Sequence, residues 1–193
     1  MTSSAIQAYA HSILGYIPWE HWAVMAVVSL ALTVILLIRK TCSVYGAMAW
    51  GVTVFMGLFL LDTAVGIRYL GLMKHGMGQN LTLDISHLFQ RTGQRSAENI
   101  SNLAAFIPFG FFLSEFQAST KSVSAGRRLG LVTLAGFGLF LTIECLQLLL
   151  HVGFFELTDL VMNTVGAFVG ALVSVGVKMV VGGNPTEDEN LIV

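Results

Sequence analysis

Charge is scarce in this chain: only 11% of its 193 residues are Asp, Glu, Lys or Arg, against about a quarter in an ordinary soluble domain. With 55% apolar residues and a positive mean hydropathy, a water-soluble fold would precipitate. A formal net charge of -1 gives no reason to expect nucleic acid as a partner. The sequence has two cysteines, Cys42 and Cys145. By the reading below they fall at the inner edge of the membrane and inside a helix, so no disulfide is expected. There is no CxxC or other zinc spacing, and the separations of His75, His87 and His151 fit no metal signature, so neither metal nor cofactor is implied.

What the chain does have is long apolar runs. Crossing the ~30 Å hydrocarbon core takes a helix of about 20 apolar residues. Trp19 to Ile38, Val44 to Leu61, Ile100 to Phe116, Leu129 to Leu150 and Leu160 to Val181 come close. The fold class is therefore all-α, a polytopic transmembrane bundle of about five spans. No basic stretch precedes the first run and no small-residue cleavage site follows it, so it reads as a retained anchor. In residues 1–18, Ile6, Ala10, Ile13, Leu14 and Ile17 recur at helical spacing before Pro18, Trp19 and Trp22, which suits a short interfacial helix. Residues 19–61 then hold the first two spans, 62–99 an outer loop, 100–181 the last three spans, and 182–193 a polar acidic tail expected to be disordered.

Short inner loops retain Lys and Arg. Arg39, Lys40, Lys121, Arg127, Arg128 and Lys178 share one side of a five-span arrangement, and Arg68, Lys74, Arg91 and Arg95 fall on the other within the 62–99 loop. This places the N-terminus outside and the C-terminus in the cytoplasm. Asn80-Leu-Thr82 and Asn99-Ile-Ser101 spell the glycosylation sequon, a weak signal.

Ionisable groups inside a span cost about 2.5–3.5 kcal/mol at its centre, so each asks for a reason. Glu144 sits about 9 Å inside the outer end of the fourth run at 1.5 Å per residue, and Gln147 and His151 continue the same stripe. On the fifth run Asp159 and Asn163 share a face, which Gly166 and Gly170 extend inward at a spacing that admits a neighbouring backbone. Asn102 lies near the outer end of the third run, followed by Pro108 and Gly110; Pro108 cannot donate to the Ala104 carbonyl, so a kink is expected. Asn102, Glu144, Gln147, Asp159 and Asn163 thus fall at similar depth, and the short connection after His151 lets Glu144 or Gln147 meet Asn163. Arg91 and Arg95 stand just before the third run, where they could meet the carboxylates or a lipid phosphate. The plain alternative is that the amides and acids only tie helices together. Glu115, near the inner end of the third run, reads as an interfacial residue paired with Lys121 or Arg127.

Taken together, Asn102-Leu-Ala-Ala-Phe106-Ile-Pro108-Phe-Gly110, Glu144-Cys-Leu-Gln147 and Asp159-Leu-Val-Met-Asn163-Thr-Val-Gly166 resemble the VanZ-like membrane proteins. That family carries N-x3-F-x-P-x-G, E-x2-Q and D-x3-N-x2-G elements in this order on successive helices. The resemblance covers about residues 83–181. Many members carry an arginine before the third element, where this chain has Gly153-Phe154-Phe155-Glu156-Leu157, so a site that uses it is incomplete here or borrows Arg91 or Arg95. The resemblance implies a bacterial cytoplasmic-membrane protein and a link to low-level teicoplanin resistance, but no settled activity. From the residues, the leading reading is a non-catalytic or weakly catalytic cell-envelope protein that binds a membrane lipid or lipid-linked precursor in an outer-leaflet polar pocket. The alternatives are an intramembrane enzyme with Glu144 as general acid or base beside an ionised Asp159, and a small transporter or channel subunit, for which five spans without an internal repeat would require a homo-oligomer.

Overall fold

The computed structural model describes residues 15–72, 81–83, 85, 94–120 and 123–181. Among them are five long helices: α1 (Trp19–Ile38), α2 (Val44–Leu61), α3 (Gln94–Thr120), α4 (Ala125–Leu150) and α5 (Leu157–Val181). Two strands of two residues each, β1 (Leu81–Thr82) and β2 (Phe155–Glu156), pair in parallel with Leu81 opposite Phe155 and Thr82 opposite Glu156. The expected interfacial helix lies almost wholly in residues 1–14, and the acidic tail in 182–193, both outside the described residues.

Four of the helices, with α2 counted through Tyr69, are long and apolar enough to cross a membrane. The other is α3, and its position explains its lower apolarity. It packs against α5, α2 and α4, so protein rather than lipid surrounds much of it, and Asn99, Ser114 and Glu115 are buried along its length. Its 27 residues reach roughly 40 Å at 1.5 Å per residue. The helix continues through Pro108 without interruption. Successive helices alternate in direction, so His21, Asp62, Glu144 and Asp159 gather at one end of the bundle and Tyr45, Glu115 and Lys178 at the other.

The tightest contact is between α3 and α5, which run parallel. A methyl group added to Gly166 would strike the Leu103 carbonyl, one on Gly170 the Ile107 carbonyl, and one on Gly110 the Ala167 carbonyl. Helix backbones meet here, as small residues permit where lipid offers no hydrophobic drive for association. On its other side α5 receives α4, with Gly136 against the Ala167 side chain. Phe106 on α3 meets Phe140 on α4 edge to face at 5.6 Å between ring centroids, closing the core of the three helices.

The connection between the second and third helices is shorter than the expected 62–99. At one side α2 passes into a π-helical turn, Asp62–Gly66, and a last α-helical turn, Ile67–Tyr69. Thr63 Oγ1 donates back to the Phe59 and Leu60 carbonyls at 2.9 and 3.1 Å, and Leu70 N–H to Gly66 at 3.0 Å, which keeps the backbone helical past the first charge. At the other side α3 begins at Gln94, and Ala97 and Asn99 are already buried. The weakly apolar segments extended the helices because they pack on protein, which a count of apolar residues does not register.

The α3–α5 contact gives a direct prediction. Gly170→Val should cost about 1–3 kcal/mol or more by overpacking and lower thermal stability in detergent. Gly138→Ala, where an added methyl meets nothing within 4 Å, should leave stability unchanged or raise it.

Candidate functional site

The site is assembled from one buried stripe on each of α3, α4 and α5. On α4 the stripe runs Val132, Gly136, Phe140, Ile143, Glu144, Gln147. On α3 it includes Asn102, Phe106 and Phe109, of which Asn102 is half-buried. Phe106 meets Phe140, and Asn102 and Glu144 each lie one turn beyond that contact toward the same end, so they stand at one level on facing stripes. On α5 the face that meets α3 and α4 carries Asp159, then Asn163 one turn deeper, then Gly166 and Gly170.

Glu144 is 1% exposed. Its Oε2 accepts the Glu156 backbone N–H at 3.1 Å, and it lies within electrostatic reach of Asp159, Glu156 and Arg68. β2 therefore supplies a backbone donor to the carboxylate, and β1 pairs onto it from the other connection. Asn163 is also 1% exposed, and its Nδ2 has no hydrogen-bond partner among the described residues. The amide donor therefore bonds to neither Glu144 nor Gln147. Gln147 turns the other way and donates from Nε2 to the Ala64 carbonyl at 3.0 Å, inside the π-helical turn of α2. A π turn places carbonyls out of the regular ladder, and this amide answers one of them. Gly153 is needed for the same reason: an added methyl would come within 2.9 Å of the Gln147 side chain. His151 does not prolong the stripe but closes α4 in the left-handed conformation, with Val152 N–H bonded to the Gln147 carbonyl at 3.0 Å.

Arg68, at the tip of the α2 extension, is a cation near Glu144, and its buried Nε has no hydrogen-bond partner among the described residues. The sequence reading looked instead to Arg91 and Arg95. Arg91 lies outside the described residues, and Arg95 is placed by its backbone in the first turn of α3. An apolar run that ends at Leu61 leaves Arg68 in the loop, away from the carboxylates. Two further features depend on the fold. His21 Nδ1 lies 2.9 Å from both Asp62 carboxylate oxygens and ties α1 to the start of the π turn; Gly66 leaves room for that carboxylate, which a side chain there would strike. Asn99 is 6% exposed and bonded within the protein, so its sequon is buried and not a surface acceptor. Asn80 of the other sequon lies outside the described residues, as do His75 and His87.

The pairing expected for Glu115 is also corrected. Glu115, 3% exposed, accepts from Lys178 Nζ at 3.2 Å, Tyr45 Oη at 2.7 Å and Ser174 Oγ at 2.5 Å, and Ser174 Oγ lies 2.9 Å from Ser114 Oγ. Lys121, one expected partner, lies outside the described residues, and Arg127 is exposed. Ser174 and Lys178 continue the Gly166 and Gly170 face of α5, a spacing that could have revealed the pairing.

A comparison with protein-family models matches VanZ/LLP1 over residues 22–178. The chain belongs to the VanZ/LLP1 family. The match begins in α1, so this VanZ/LLP1 protein shares more with its family than the 83–181 segment that carries the three motifs. No curated protein and no solved structure matches it.

The Gln147 bond predicts the cost of losing it. Gln147→Leu strands the Ala64 carbonyl and should destabilise the protein by about 1–3 kcal/mol, and Gln147→Glu, which sets an acceptor against that carbonyl, should do no better. Thermal unfolding in detergent decides; a Leu variant as stable as the native chain would show that the carbonyl does not depend on this amide.

Proposed function

We propose that this VanZ/LLP1 membrane protein binds an amphipathic or lipid-linked molecule of the bacterial cell envelope through the polar groups at the Glu144 end of its bundle. One contrast carries the reading. Each end of the bundle buries a glutamate, but Glu115 is compensated by a lysine, a tyrosine and a serine. Glu144, by comparison, receives one backbone N–H among the described residues, has Arg68 near it without a hydrogen bond between them, and faces a second carboxylate. A carboxylate that serves only to join helices gains nothing from a like charge beside it, and removing such groups from contact with water is costly. Held groups of this kind commonly trade stability for binding. The amide of Asn163 adds an unanswered donor to the same face.

Arg39, Lys40, Arg127, Arg128 and Lys178 sit at the opposite end, which by the retention of positive charge in the cytoplasm directs the Glu144 end outward. An outward site in the cytoplasmic membrane meets envelope precursors and antibiotics that bind them, which is how a contribution to glycopeptide susceptibility would arise.

Two experiments test this. Glu144→Gln and Asp159→Asn, expressed at equal level, should abolish the envelope phenotype, read as teicoplanin or detergent sensitivity, with melting temperature in detergent unchanged or raised; sensitivity that tracks stability would mean the pair is only a tie between helices. In a background without Cys42 and Cys145, Leu72→Cys should react with an impermeant thiol reagent in intact cells and Ser124→Cys should not. The reverse pattern would turn the site to the cytoplasm and remove the envelope reading.

A further inference from the structure

Among the described residues, two donor groups at the Glu144 end are buried without hydrogen-bond partners, Asn163 Nδ2 and Arg68 Nε, as is the Ser101 hydroxyl on α3, which can both donate and accept; Arg128 Nε is a further such donor at the opposite end. The only unpartnered side-chain group among the described residues that can accept but not donate is Gln117 Oε1, toward the far end of α3. The site therefore offers unanswered donors together with the Glu144 carboxylate, which accepts. We propose that it takes the neutral, hydroxyl-rich headgroup of a membrane amphiphile, a sugar or other polyol; this rests on the binding reading above and narrows it.

The chemistry excludes the two obvious competitors. A phosphate supplies acceptors only, would answer Asn163 and Arg68, and would meet the charges of Glu144, Asp159 and Glu156 at short range. An ammonium supplies donors only, would leave the Asn163 amide unanswered, and would meet Arg68. A metal ion finds no group of three His, Cys, Asp or Glu side chains able to hold it among the described residues. A hydroxyl both donates and accepts, so neighbouring hydroxyls can give to a carboxylate and receive from the amide or guanidinium. The position suits a headgroup that arrives along the membrane. Asn102 and Glu144 stand at one level on α3 and α4, whose contact with each other is lighter than either helix's contact with α5.

Asn163 provides the test. Because its amide is buried and unanswered, Asn163→Leu should leave the ligand-free protein as stable as before or more so, since replacing an unsatisfied polar group by an apolar one of similar size removes a penalty. The full chain in phosphatidylcholine nanodiscs would be titrated with monoglucosyl diacylglycerol, phosphatidic acid, oleylamine and free glucose, with binding read by native mass spectrometry. The glucosyl lipid should bind saturably and at least about tenfold more tightly than the other three, and Asn163→Leu should weaken it by about tenfold or more. Asn163→Asp removes the donor with little change of shape and serves if the Leu variant does not fold. Phosphatidic acid or oleylamine binding as well as the glucosyl lipid would overturn the headgroup assignment while leaving a binding site. Free glucose binding equally well would overturn the membrane source. Unchanged affinity in both Asn163 variants would mean that only water answers the amide, and would also overturn the assignment. If no amphiphile binds, both this inference and the reading beneath it fail.

Discussion

Backbone contact between α3 and α5 sets the register of everything else in this protein. Gly166, Gly170 and Gly110 bring the two helices so close that carbonyl oxygens of each lie where the other's side chains would begin. Contacts between Cα–H groups and carbonyls become available at such separations and recur between closely packed helices. In lipid, where burying apolar surface gives little drive, that fit is much of what holds helices together. It also leaves no freedom to slide. One face of α5 carries Asp159, Asn163, Gly166, Gly170, Ser174 and Lys178 in order. Fixing the glycines therefore fixes a polar group at each end: Ser174 against Ser114 and Glu115 at one, and Asp159 near Glu144 at the other.

The two ends then use their polar groups differently. At the Lys178 end every oxygen of the Glu115 carboxylate has a donor, and α2, α3 and α5 are joined through it. Such a network fixes which helices are neighbours. At the Glu144 end Gln147 is committed to the Ala64 carbonyl, so it belongs to the scaffold and not to the set of groups left for a ligand. Around it stand Glu144 on α4, Asp159 and, one turn deeper, Asn163 on α5, Asn102 at the level of Glu144 on α3, and Arg68 on the α2 extension. The group still has five members, but it exchanges an amide, Gln147, for a cation, Arg68.

The spans were legible in the sequence because apolar length is a local property. Trp19–Ile38 and Val44–Leu61 coincide with the helices, and the places of Glu144, Asp159 and Asn163 along α4 and α5 follow from counting residues. Three features escaped because they depend on neighbours. Asp62 and Arg68 end an apolar run, yet the chain stays helical through them since His21 and Glu144 lie nearby to balance their charge. Asn99 spells a surface modification site, yet it is covered by the bundle. Glu115 was paired with cations near it in sequence, whereas the helix register brings it Lys178 from α5.

The reach of the family match follows from the same interactions. The three motifs lie on α3, α4 and α5, but the wall of the site is completed by α2, which supplies the Ala64 carbonyl to Gln147 and Arg68 to the neighbourhood of Glu144. That extension of α2 is held in turn by α1 through His21 and Asp62, with Trp22 stacked beside it on Phe55 at 6.1 Å and tilted against Phe59 at 5.5 Å. The matched segment starts at residue 22 and stops at residue 178, between Trp22 on α1 and Lys178 on Glu115. A segment limited to the last three helices would keep the motif residues. It would lose the partner of Gln147, the cation beside Glu144 and the Tyr45 donor to Glu115, so the polar groups at both ends would be buried or exposed without their counterparts. The unit that carries the site is therefore the bundle of all five helices.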